Sequence, residues 1–194
     1  MSRRLQGVVL AGGASQRMGT DKALLTRPDG MSWLEAQVQL LRSEDLEVCV
    51  LTGHGSHHQL LGTFEGVTVK AEPWQPAGPL WALSCVLHDR DDEALLTVPV
   101  DMPGLRQDAL QQLILRWRRQ PSRVFVADDG SRLQHLLGIY PCGALYRKAL
   151  DDELTKGECR WHGWLERIPH DTVKLPPDQL VNVNRPVDLA ALSG

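Results

Sequence analysis

At 194 residues with a net charge of −3, the chain has the length of one domain and can bury a sizeable core. A composition that is 42% hydrophobic and 23% charged excludes a disordered or fibrous chain. The slightly acidic balance excludes a surface built to attract nucleic acid or anionic lipid, so any polyanionic ligand needs a local basic pocket.

The four cysteines, Cys49, Cys85, Cys142 and Cys159, form no Cys-x-x-Cys pair, which argues against a zinc knuckle or a dithiol redox motif. Cys49 and Cys85 lie in apolar runs and read as buried, reduced thiols, which suits the cytoplasm. No run is apolar for long enough to span a bilayer, and the run behind Arg3 and Arg4 stops at Gly12-Gly13, unlike a signal peptide.

In chain order, residues 5–11 read as a buried strand and Pro28-Asp29-Gly30 as a turn. Ser32 and Glu35 have capping-box spacing, which predicts a helix to about Arg42. Residues 46–52 and 67–71 are strands, with a short helix over 57–61 between them. Residues 79–88 read as a buried helix and 94–100 as a fourth strand. Leu110, Leu113, Ile114 and Trp117 mark the buried face of the next helix. Residues 123–127 and 136–140 are strands around an Asp129-Gly130 turn. A helix follows over 144–154, then short extended pieces at 173–175 and 180–183, then a closing helix over 186–192 with Pro186 in its first turn. Such alternation predicts one α/β domain spanning 1–194, with a mostly parallel sheet covered on both faces. Ligands of such sheets bind beyond the carboxyl ends of the strands, so the loops after Ala11, Thr52, Ala71 and Val100 share the candidate rim.

The first of these loops contains Gly12, Gly13, Arg17 and Lys22. Paired glycines let backbone N–H groups approach an anion, and two cations suit a triphosphate. Taken alone, the loop also fits a glycine-rich turn with two solvated bases. Neither the Walker A spacing nor the dinucleotide Gly-x-Gly-x-x-Gly is present. The whole string over residues 10–25, Leu-Ala-Gly-Gly-x-Ser-x-Arg-Met-Gly-x-Asp-Lys-x-Leu-Leu, resembles the signature loop of nucleotidyltransferases that activate sugar phosphates, isoprenoid precursors and the molybdenum cofactor. Every fixed position of that string is filled.

Two further pieces fit the resemblance. Asp101, after the apolar strand and before Met102-Pro103, is either a helix cap or a carboxylate holding Mg²⁺; Asp-x-Pro in this place looks like the family's metal aspartate. Asn182-Val183-Asn184-Arg185-Pro186 reads as an Asx turn or a ligand loop, and is similar to the close of the molybdenum cofactor guanylyltransferases. The resemblance implies a three-layer, Rossmann-like nucleotidyltransferase fold and transfer of GMP from GTP to the phosphate of molybdopterin. A same-fold enzyme using CTP or a sugar phosphate, or a nucleotide-binding module without turnover, is the alternative.

The same resemblance implies catalytic roles for Arg17, Lys22 and Asp101, with Mg²⁺ on Asp101. It implies nucleotide contacts from Leu10, Ala11, Gly12, Gly13, Lys22, Thr52, Glu72 and Asp101; after the third strand, Ala71 and Glu72 are alternatives. Gly78-Pro79-Leu80 looks like the family's base-bordering segment, although Trp81-Ala82 replaces its usual small residue and glycine. GTP and molybdopterin are the implied partners, with molybdoenzymes or their chaperones receiving the product.

The acceptor is expected near Arg160, Trp161, Asn182 and Asn184. Arg160 offers a planar cation for phosphate, and Trp161 and Trp164 offer faces for stacking a pterin. His54, His57 and His58 read as a solvated loop without zinc-ligand partners. Arg118, Arg119 and Arg123 read as solvated helix-end charges.

Overall fold

The computed structural model describes residues 3–12, 21–71, 78–157 and 160–184. Its strands are β1 (Arg4–Leu10), β2 (Val48–Thr52), β3 (Val67–Ala71), β4 (Glu93–Pro99), β5 (Val124–Asp128), β6 (Leu133–Pro141) and β7 (His170–Lys174). The helices are α1 (Trp33–Arg42), α2 (Gly55–Leu61), α3 (Pro79–Ser84), α4 (Gln107–Arg119), α5 (Ala144–Thr155) and α6 (Trp161–Leu165).

The sheet runs β3-β2-β1-β4-β6-β5-β7. All neighbours are parallel except the two pairs made by β6, which is antiparallel to both β4 and β5. The expected mostly parallel α/β architecture is therefore the one found. Alternate residues of each strand feed opposite faces. Val9, Val50, Leu96 and Val98 pack under α1 and α4, while Val8, Cys49, Leu51, Leu95 and Tyr140 pack under α3, α5 and α6. Among the described residues, no helix is long and apolar enough to cross a membrane.

Local sequence explains the elements that were anticipated. Ser32 accepts from the Glu35 amide at 3.1 Å and Glu35 accepts from the Ser32 amide at 2.8 Å, so the capping box starts α1 and the helix ends at Arg42 as expected. In α4 the predicted face, Leu110, Leu113, Ile114 and Trp117, is buried together with Ala109.

Other boundaries differ. α3 stops at Ser84 and the chain turns, though Val86 and Leu87 remain buried. β6 starts earlier than its apolar run, at Leu133, because backbone pairing with β5 carries it through the polar Gln134 and His135. β7 is an edge strand beside β5 and reads His-Asp-Thr-Val-Lys, so apolar patterning reveals only its end. Pro177–Leu180 is a 3-10 turn and residues 181–184 have no regular structure, where an extended piece was expected. The closing helix expected over 186–192 lies outside the described residues. Cys49 and Cys142 are buried free thiols; Cys85 is only half-buried, because it falls where α3 ends.

Candidate nucleotide site and the family of the chain

β1 is flanked by β2 on one side and β4 on the other, so the chain reverses its direction of travel across the sheet between β1 and β4. Open α/β sheets bind ligands at such a switch point. Leu10 pairs with Pro99, and the Val100 amide donates to the Leu10 carbonyl at 3.1 Å. The chain therefore leaves both strands side by side, through buried Leu10 and Ala11 to exposed Gly12, and through Val100 to Asp101.

Three distant segments meet there. Asp21 caps a 3-10 turn over Lys22–Leu24, accepting from the Ala23 amide at 3.1 Å. Lys22 Nζ then donates to the Val183 carbonyl at 3.0 Å and to Asn184 Oδ1 at 2.7 Å. The Val183 amide in turn donates to the Asp101 carbonyl at 2.9 Å. The signature lysine, the strand-end aspartate and the Asn-x-Asn segment thus form one cluster. An ammonium has three N–H donors, so one on Lys22 has no partner among the described residues.

Asp101 Oδ1 is buried and has no hydrogen-bond partner among the described residues. Burial pushes this carboxyl above its ordinary range, with the nearby Lys22 charge acting the other way. A desolvated carboxylate oxygen without a donor fits a hard cation, which needs only one or two protein carboxylates. Among the described residues no cluster of three or more His, Cys, Asp or Glu side chains is arranged to hold a metal. One such carboxylate could serve a cation such as Mg²⁺, which completes its shell with phosphate and water. Gly13, Arg17 and Glu72 lie outside the described residues. Ala71, the alternative to Glu72, is the exposed end of β3.

Thr52 departs from expectation. It is buried, and its hydroxyl is held by His57 Nδ1 at 2.7 Å and the His54 amide at 3.0 Å, so the side chain is engaged within the protein and is not offered to a base. His57 departs too. It is fully buried, not part of a solvated loop, and its Nε2 lies 2.8 Å from Asp21 Oδ2. The spacing Thr52…His57 around a helix start was the available signal, but only the fold brings Asp21 to it.

On the far side of Asp101 a cavity of about 260 Å³ is lined by Met102, Arg132, Gln134, His135, Trp161 and Asn182, among others. Asn182 Nδ2 donates to Gln134 Oε1 at 3.0 Å, and Gln134 Nε2 donates to Asp129 Oδ2 at 2.7 Å. The Ser131 hydroxyl and amide, with Gln134, hold the Asp129 carboxyl well below the usual carboxylate range. Of these residues the sequence singled out Trp161 and Asn182, and passed over Arg132, Gln134 and His135. The signal for them was a polar pair, Gln134-His135, opening an otherwise apolar strand.

The tryptophans correct the expected stacking surface. Trp161 is only 6% exposed, its ring packs edge-on to Tyr140, and its Nε1 donates to the Tyr140 hydroxyl at 2.9 Å. Trp164 is wholly buried and stacks on Tyr140. Both serve mainly as core, and Trp161 meets the cavity as a wall. Arg160 stands exposed at the start of α6. Arg123 is not a solvated charge, since it pairs with Asp171 and donates to the His170 carbonyl. Before α3, Gly78 has φ +87°, a conformation that favours glycine, and Pro79 opens the helix; Trp81 remains exposed.

Residues 7–170 match the model of the MobA-like NTP transferase domain. The chain belongs to that family. A curated relative from Rhodopirellula baltica, named probable molybdenum cofactor guanylyltransferase, is 35% identical over 193 residues, covering 95% of this chain and 90% of the relative. Among solved structures, molybdopterin-guanine dinucleotide biosynthesis protein A from Archaeoglobus fulgidus aligns with a TM-score of 0.74 at 17% identity, over 96% of this chain and 95% of that one. The 2-C-methyl-D-erythritol 4-phosphate cytidylyltransferase from Francisella tularensis aligns at 0.73 with 13% identity, over 98% of each chain. At such identities these likenesses speak for the nucleotidyltransferase fold alone. Guanine and cytosine enzymes share it, so backbone shape does not select the base.

Proposed function

We propose that this MobA-like NTP transferase domain moves GMP from GTP to the terminal phosphate of molybdopterin, giving the guanine dinucleotide form of the cofactor and pyrophosphate. The observation that carries the chemistry is the joining of Lys22, Asp101 and Asn184 into one cluster at the switch point of the sheet. The choice of guanine and molybdopterin rests on the relatives' names.

A phosphate oxygen of the acceptor attacks the α-phosphorus in line, the bond from that phosphorus to the bridging oxygen breaks, and pyrophosphate leaves. The nucleophile is already ionised at neutral pH, so no general base is required. Catalysis then comes from positioning and from stabilising charge. The amides of Gly12 and Gly13 and the side chains of Arg17 and Lys22 receive the triphosphate. Asp101 would hold Mg²⁺, which when bound supplies charge neutralisation at the α-phosphate. Molybdopterin occupies the cavity beside Asp101, with Asn182, Gln134 and the Trp161 wall on one side and Arg160 contributing charge at its margin. Free thiols at Cys49, Cys85 and Cys142 support a reducing compartment, the cytoplasm, as the place of reaction.

The test is incubation of the pure protein with Mg²⁺, each of the four nucleoside triphosphates and molybdopterin, followed by mass analysis. Guanylated cofactor with released pyrophosphate is expected. Cytidylated product would replace the guanine assignment, and nucleotide binding without pyrophosphate release would reduce the chain to a binding module.

A further inference from the structure

We propose that His57 is a positioning residue for the nucleotide. It is the centre of a Thr52–His57–Asp21 relay that holds the Asp21 carboxylate away from Lys22 and keeps that lysine available to a triphosphate. The inference rests on the reading that the cluster around Lys22 binds a nucleoside triphosphate.

With the imidazole uncharged and Asp21 ionised, the hydrogen-bond directions admit one arrangement. The His54 amide can only donate, and it donates to Thr52 Oγ1 at 3.0 Å. The Thr52 hydroxyl proton then goes to His57 Nδ1 at 2.7 Å. This leaves the ring proton on Nε2, which donates to Asp21 Oδ2 at 2.8 Å. The other Asp21 oxygen accepts from the Ala23 amide at 3.1 Å. Every polar atom of the relay is satisfied with the imidazole uncharged. Burial favours that form, pushing the ring below its ordinary pKa, while Asp21 acts in the opposite sense.

The relay couples elements that are remote in sequence. Thr52 ends β2, His57 lies in α2, and Asp21 precedes the lysine of the signature loop by one residue. Each Asp21 oxygen is engaged by a group other than Lys22, Oδ1 by the Ala23 amide and Oδ2 by His57. Without His57, Asp21 Oδ2 keeps only His54 Nδ1, at 3.7 Å, and the carboxylate is freed to turn toward the next residue, a lysine that carries an N–H without a partner among the described residues. The new ion pair would compete with an incoming phosphate. A relay filled by a leucine would keep the apolar packing of α2 and lose this control. That distinguishes a positioning role from simple core filling.

The experiment compares wild type, His57→Leu, His57→Gln, Thr52→Val and the double variant Thr52→Val with His57→Gln. It measures equilibrium binding of the Mg²⁺ complex of GTP, steady-state KM for GTP and for molybdopterin, and thermal unfolding. His57→Leu should weaken GTP binding and raise its KM by about tenfold, the scale of one lost hydrogen bond to a charged group. The molybdopterin KM should stay within about twofold, because the relay does not reach the cavity. His57→Gln, which restores an N–H donor, should recover most of the loss. Thr52→Val, close in volume, should raise the GTP KM a few-fold and add little in the His57→Gln background.

Equal changes in both KM values, or a fall in kcat with the GTP KM unchanged, would overturn the relay. So would additive effects of Thr52→Val and His57→Gln, which would mean that threonine meets the nucleotide itself. If His57→Leu does not fold, His57→Gln and Thr52→Val decide by the same criteria. The binding measurement separates this inference from the function it rests on. If wild type binds GTP but transfers nothing to molybdopterin, the relay is still decided by the variants' affinities. If another triphosphate binds instead, the same variants are measured with it. Wild type that binds no triphosphate at all would remove both readings.

Discussion

Replacing Lys22 with alanine separates a stability cost from a catalytic one by their sizes. Lys22 Nζ donates to the Val183 carbonyl and to Asn184 Oδ1, at 3.0 and 2.7 Å. The bond to Asn184 is exposed and the bond to Val183 only partly buried, so each contributes at the low end of the range for charged hydrogen bonds. Together they are worth about 1 kcal/mol after solvent screening, or about 2–4 °C in Tm for a domain of this length. The catalytic loss is larger. A fixed positive group aimed at developing charge on the transferred phosphate contributes about 3–4 kcal/mol, or about 10²–10³ in rate. Lys22→Ala should therefore lower kcat/KM for GTP by two to three orders of magnitude, roughly, while Tm moves by only a few degrees. Pyrophosphate release and a thermal melt on the same preparation check both. Activity within about threefold of wild type would refute the assigned role, since it leaves less than about 1 kcal/mol for the lysine. A Tm loss large enough to account for the inactivity by unfolding would refute the reasoning in another way.

Asp101→Asn should abolish the Mg²⁺ response of the rate and raise Tm at pH 7 in the absence of metal. The carboxyl's folded pKa lies above its unfolded value, so its ionisation penalises the fold at neutral pH and the penalty disappears below the unfolded pKa near 3.9; retained Mg²⁺-dependent turnover, or a lowered Tm, would point to a structural cap. Gln134→Leu removes the acceptor for Asn182 Nδ2 and the donor to Asp129. It should raise the molybdopterin KM by about tenfold while leaving the GTP KM unchanged, as steady-state kinetics will show. Arg160→Ala should weaken acceptor use by about tenfold or more through loss of a charge-assisted contact. A rise in the GTP KM instead would move Arg160 to the other substrate.

Where structure follows from local chemistry, the sequence was legible. The Ser32/Glu35 box fixes the start of α1, and the spacing of Leu110, Leu113, Ile114 and Trp117 fixes the buried side of α4. The signature string marked Lys22, and the end of an apolar run marked Asp101. What failed depended on long-range contacts. Nothing near His57 in sequence announces Asp21, 36 positions away, so a buried imidazole read as a solvated one. Trp161 and Trp164 beside Arg160 looked like a binding face because tryptophan suits both core and ligand, and only packing against Tyr140 decides for the core. β7 was read short because an edge strand can be polar along most of its length.

The rim rule itself explains the residues that were missed around the cavity. It directs attention to the loops after parallel strands, which here yields Gly12 and Asp101. β6 runs against β4, however, with Gly138 opposite Thr97 and Pro141 opposite Ala94. Its first residues, Leu133, Gln134 and His135, therefore extend toward the carboxyl end of β4, where Asp101 and Met102 emerge. The β5–β6 turn at Asp129 lies at that same end, because β5 is parallel to β4. One inverted strand thus contributes the beginning of a strand to a rim otherwise made of strand ends. It places a wall of uncharged and basic side chains on the side of Asp101 opposite β1. In the reading proposed here, that gives two anionic substrates separate approaches to one carboxylate, as in-line attack requires: the triphosphate over the β1 loop and the acceptor over the β5–β6 hairpin. Substitutions on the hairpin should then alter acceptor use, and substitutions around Lys22 nucleotide use, with Asp101 alone affecting both.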